Sequence, residues 1–140
     1  CRLPHFDVYE SIEAVRSAAA ALMYVGEYEQ ALVGLREAEN LAVRAQVVEQ
    51  QANALGLQMQ CYFRLDRWDD VLATETKWRA LERKYPRERV GEMCFYIALS
   101  ASVLALRGDH QRAAAYAQES YDFMVYVSGT PDQWQRNQFY

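Results

Sequence analysis

The sequence is sparing with the residues that chemistry and irregular structure draw on: 140 residues hold three cysteines, two histidines, three prolines and six glycines. Three cysteines cannot form a closed set of disulfides. A chain of this length buries roughly two-thirds of the surface its unfolded form exposes, so it needs no covalent or metal staple. The shortage of His and Cys removes the usual donors for nucleophilic, acid-base and metal chemistry. No run of about 18 apolar residues occurs without a charge or a Gln, which excludes a membrane-spanning helix from the reading. Fifteen basic against nineteen acidic residues leave a net charge of −4, not the footprint of a nucleic-acid binder. What is present is 51% hydrophobic and 24% charged residues, with 20 Ala and 11 Gln. That is a helix-forming composition.

The length corresponds to one domain or one run of stacked repeats. The first residues, Cys1-Arg2-Leu3-Pro4-His5, lack an initiator Met and an apolar signal-peptide core, so the chain is expected to be a piece of something longer. Cys61 and Cys94 fall within apolar helical patterns and read as small buried hydrophobes. A cytoplasmic setting is the expectation.

Three short turn signals punctuate the chain at Val25-Gly26-Glu27-Tyr28, Leu65-Asp66-Arg67-Trp68 and Arg107-Gly108-Asp109-His110, at intervals of 40 and 42. Each places Gly or Asp where a left-handed residue can close a helix, followed by a charged residue that opens the next. Between turns the apolar period is near 3.6. Val8, Ile12, Val15, Ala19 and Leu22 form one stripe; Tyr28, Ala31, Leu32, Leu35, Ala38 and Leu41 form the next. Leu55, Met59 and Tyr62 precede the second turn and Val71, Leu72 and Trp78 follow it. Ile97, Ala101 and Leu104, then Ala113, Tyr116 and Tyr121, repeat the scheme. The pattern predicts three αα-hairpins.

Tyr85-Pro86 ends the fourth helix, since proline disfavours helical geometry in the residue before it. Ser128-Gly129-Thr130-Pro131 ends the sixth, with Thr130 placed to cap a short further helix over 131–140. From Tyr28 to Leu65 no proline occurs, and Gly34 and Gly56 lie inside apolar patterns. Spacing puts a break near Arg44 to Val47, and one long bent helix is the alternative.

These residues resemble the tetratricopeptide family. Gly26-Glu27-Tyr28-Glu29-Gln30-Ala31-Leu32 carries the resemblance most specifically, with Ala19, Leu22, Leu35 and Ala38 around it. Ala101, Leu104, Gly108, Asp109, Ala113 and Ala117 repeat it, while the middle unit keeps Asp66, Trp68 and Val71 but has Glu75 and Trp78 where small residues belong. The period exceeds the usual ~34 residues. It is similar to the long repeats attached to bacterial ATPase-type transcription regulators, nucleotide cyclases and kinesin light chains. HEAT and armadillo arrays are the structural alternative. The resemblance implies an all-α, right-handed α-solenoid of three antiparallel hairpins, with repeats at about 7–45, 46–86 and 87–128 and a capping or partial-repeat helix at about 131–140.

No catalytic constellation stands out. His110 occupies the place of Tyr28 and Trp68, His5 lies beside Pro4 near the terminus, and neither has partners at metal-ligand spacing. Asp69-Asp70 read as first-turn charges favoured by the helix dipole, and Glu10, Glu13, Glu27 and Glu29 as solvated helix-start charges. Basic Arg79 to Arg89 is interleaved with acids, and no glycine pattern fits a phosphate loop. The expectation is a non-enzyme with no cofactor, metal, nucleic acid or membrane.

By register, the resemblance puts ligand positions on the leading helices: Glu13, Arg16, Ala20, Met23 and Tyr24; Asn53, Gly56, Gln60, Phe63 and Arg64; Phe95, Ala98, Ser102, Ala105 and Leu106. Arg16 and Ala20 stand where a chaperone-tail clamp needs Lys and Asn, which argues against that ligand. Arg16, Met23, Tyr24, Asn53, Gln60, Phe63 and Arg64 are the candidate partner-binding residues. They imply a scaffold or interaction domain of a regulatory protein that binds a peptide or partner domain. A self-association module forming a homodimer and a small-ligand sensor are the alternatives.

Overall fold

A computed structural model describes the backbone of residues 4–85 and 93–128, and the side chains of 8–85 and 95–125. The described residues form six α-helices and no strand: α1 (Pro4–Tyr24), α2 (Tyr28–Ala45), α3 (Val48–Arg64), α4 (Trp68–Lys84), α5 (Met93–Leu106) and α6 (His110–Ser128). The chain divides into two compact units, Cys1–Glu88 with α1 to α4 and Arg89–Tyr140 with α5 and α6. In the first unit each helix packs on the next and α1 also meets α3; in the second, α5 packs on α6.

The four described connections, those within the two units, share one geometry. Gly26, Gln46, Asp66 and Gly108 all adopt positive φ, at 85°, 59°, 57° and 85°. At each, that residue's N–H bonds the carbonyl three residues back, and the following N–H bonds the carbonyl five residues back from itself: Gly26 to Met23 and Glu27 to Leu22, Gln46 to Val43 and Val47 to Ala42, Asp66 to Phe63 and Arg67 to Tyr62, Gly108 to Ala105 and Asp109 to Leu104. This paired closure satisfies carbonyls that a helix end otherwise leaves open. The next helix begins two residues after the left-handed residue every time. The expected left-handed residues at Gly26, Asp66 and Gly108 are therefore present. The break between α2 and α3 falls at Gln46-Val47, and the single bent helix is excluded.

Packing follows from the stripes. Ala31, Leu32, Leu35, Ala38 and Ala42 are each fully buried on α2, a spacing that lines one broad face of a helix. Each leucine contributes about 1.5–3 kcal/mol by leaving water. Gly34 lets α1 come close, since a Cβ built there would lie 3.1 Å from the Ala19 Cβ. Trp78, at 1% exposed, fills the α4 interior where a small residue was expected by resemblance, and Glu75 beside it is buried and ion-paired to Arg79.

Between helices of the first unit, polar side chains make specific pairs. Gln50 on α3 donates to the Tyr9 hydroxyl at 3.1 Å and to Glu13, both on α1. Gln58 donates to Glu39 at 2.9 Å, and Arg36 to the Tyr62 hydroxyl at 2.8 Å. Arg67 lies over the Tyr62 ring, 4.9 Å from its centroid, and pairs with Asp70 and Glu29. Asp109 caps α6, its carboxylate accepting from the Arg112 N–H at 3.3 Å. The expected helix over 131–140, with Trp134 and the other tail aromatics, lies outside the described residues, as do Cys1 and Pro86. So do the side chains of His5 and Cys94.

Candidate functional site

The left-handed turn at Gly26 folds α2 back against α1, and α3 then returns beside both. Where the C-terminal turns of α1 pass α3, a cleft of about 380 Å³ opens, lined by Ala20, Met23 and Tyr24 of α1, Tyr28 at the start of α2, and Leu57, Gln60 and Arg64 of α3. The lining follows helical spacing: 20, 23 and 24 share one face of α1, and 57, 60 and 64 share one face of α3. Ala20, Met23 and Leu57 supply apolar surface. Two tyrosines, the Gln60 amide and the Arg64 guanidinium supply the polar groups. Tyr24 is 92% exposed.

Four of the seven candidate residues meet here: Met23, Tyr24, Gln60 and Arg64. Three do not line the cleft. Arg16 is paired with Glu13 at 2.6 Å, one turn before Ala20 along α1. Asn53 is half-buried one turn before Leu57, and Phe63 is half-buried beside Arg64. Glu13 is not a solvated helix-start charge. Hydrogen bonds from Arg16, then from Gln50, hold its carboxyl below the ordinary glutamate range. Tyr28 and Leu57 were missed, Tyr28 because it reads as part of the α2 core stripe. The repeat register could have found Leu57, which lies one turn from Gln60 and Asn53.

In the second unit the positions expected to face a ligand, Phe95, Ala98, Ser102, Ala105 and Leu106, are all exposed. A separate shallow depression runs along α6 past Ala115, Gln118, Glu119, Asp122 and Phe123. Since one helix supplies every lining residue, it is an open face rather than an enclosed site. Gly56, placed at a ligand position by register, is buried within α3.

Burial pushes the Cys61 thiol up to about 11, so it is protonated at neutral pH and a poor nucleophile. Among the described residues no three His, Cys, Asp or Glu side chains gather to hold a metal ion. No described helix is long and apolar enough to cross a membrane.

No family model, curated protein or solved structure matches the chain. The described residues define an all-α architecture in which, within each unit, consecutive helices pack on one another and are joined by one recurring turn.

Proposed function

We propose that this chain is a non-catalytic interaction domain of the tetratricopeptide kind, part of a larger cytoplasmic regulatory protein, and that it binds a peptide or partner domain on its leading-helix face. The hairpins would continue as a right-handed α-solenoid with leading helices α1, α3 and α5. The observation that carries the reading is the cleft between α1 and α3, where Met23, Tyr24, Gln60 and Arg64 converge with Leu57. Its mixture of apolar surface with a few directed polar groups suits a peptide segment. The spacing of the turns supports the repeat assignment, since Gly26, Gln46 and Asp66 fall 20 residues apart and close their helices identically.

The test is a pull-down with the full-length parent protein, comparing wild type with a Met23→Asp, Leu57→Asp double variant and with Val33→Asp, which alters an exposed valine outside the cleft. Partners lost from the double variant and kept by Val33→Asp are the expected result. Retention of every partner by the double variant contradicts the reading. Self-association is a second reading favoured by α5, which carries no charged residue and exposes Phe95 and Leu106. Sedimentation showing a concentration-independent monomer would dismiss it.

A further inference from the structure

Resting on the cleft reading above, we infer that the α1/α3 cleft selects a segment in which a carboxylate side chain lies next to an aliphatic one. The charge and the donors of the lining call for such a segment. Among the described residues, Arg64 is the only charged side chain lining the cleft, and no carboxylate lines it. Arginine has five N–H donors and no acceptor, and the Tyr24 and Tyr28 hydroxyls and the Gln60 amide can donate beside it. An acceptor-rich group is therefore what this set can satisfy, and a planar carboxylate fits a guanidinium best.

Comparison with the other arginines sharpens the point. Arg16 is paired with Glu13, Arg36 with the Tyr62 hydroxyl, Arg67 with Asp70 and Glu29, and Arg79 with Glu75. Arg64 and Arg83 have no ion pair or hydrogen bond among the described residues, and of these two only Arg64 lines the cleft. A cation in the last turn of α3 suits the helix dipole, but that holds for any residue of that turn. The dipole does not account for the guanidinium standing at the edge of an apolar cleft. Met23 and Leu57 then receive the aliphatic neighbour, and a cleft of this size holds side chains rather than a folded domain. The chain as a whole is acidic, at −4, so bulk attraction does not recruit such a segment. Selection must come from short-range contact with Arg64, and salt should weaken it only modestly.

The test uses the full chain and three fluorescein-labelled peptides that differ at one position, with central Leu-Glu-Leu, Leu-Gln-Leu or Leu-Lys-Leu, read by anisotropy. The Glu peptide is expected to bind about fivefold to tenfold tighter than the Gln peptide, the range of one charge-assisted hydrogen bond. That preference should vanish in Arg64→Gln, reverse toward Lys in Arg64→Glu, and persist in Arg83→Gln, a change to an exposed arginine outside the cleft. Circular dichroism checks that each variant is folded. Equal binding of all three peptides, abolished by Leu57→Asp, overturns the charge selection while leaving the cleft reading intact. Binding of none of them, or binding indifferent to Leu57→Asp, overturns both.

Discussion

In the first unit side chains reach from helix to helix with defined partners: Gln50 to Tyr9 and Glu13, Gln58 to Glu39, Arg36 to Tyr62. In the second, α5 has no charged residue between Met93 and Leu106, and its fully buried Ser100 has no hydrogen-bond partner for its hydroxyl among the described residues. The first arrangement fixes register, because a buried Gln that loses its partner is costly. In the second, the uncharged α5 packs on α6 across the turn at Gly108. The cleft lies in the unit with the fixed register, where a recognition surface gains most from being held rigid.

Six substitutions in the full chain, followed by urea or thermal unfolding, probe the contrast between the units. The largest effect is expected at Leu35→Ala, which empties a fully buried position on α2 and should cost about 2–5 kcal/mol. Next come the two buried polar residues. Gln50→Leu removes the link from α3 to α1 and should cost about 1–2 kcal/mol, whereas Ser100→Ala should be neutral or slightly stabilising, by up to about 1 kcal/mol. Equal costs at the two sites would erase the distinction drawn between the units.

Smaller effects are expected at the turns. Gln46→Gly relieves a left-handed residue that carries a Cβ and should stabilise by about 0.5–1 kcal/mol, while Gly26→Ala should destabilise by about 1 kcal/mol. The last is a pH effect. The carboxyl of Glu13 titrates lower when folded than its ordinary value of 4.5, so its contribution is present above that pH and disappears as pH falls through the lower folded value. The melting-temperature gap between wild type and Glu13→Gln should therefore narrow from pH 6 to pH 3. A gap that stays constant or widens would show that the Arg16 and Gln50 bonds do not favour the charged form.

Three of the four turns were legible because Gly26, Asp66 and Gly108 are residue types that tolerate left-handed geometry. Gln46 makes the same turn without such a signal. Its position follows only from the 20-residue spacing, and the residue itself carries a conformational cost that the flanking helices outweigh. The cleft was half legible. Helical register brought Met23, Tyr24, Gln60 and Arg64 to one place, because residues one turn apart share a face whatever their chemistry. The i,i+3 spacing of Glu13 and Arg16 already allowed their pairing on one helix face, whereas the bond from Gln50 to the same carboxylate depends on α3 arriving beside α1. Buried glutamines are rarely predicted from sequence because polar side chains are mostly exposed, and here Gln50 and Gln58 link α3 to α1 and α2.

The proposed docking place for a partner is the α1/α3 cleft. Methyl NMR of the full chain titrated with the Leu-Glu-Leu peptide tests it most directly. The Met23 and Leu57 methyl resonances should shift with added peptide while those of Val33 and Val43, exposed on α2 outside the cleft, stay in place. Binding that moves Val33 and Val43 and leaves Met23 and Leu57 unchanged would contradict the account.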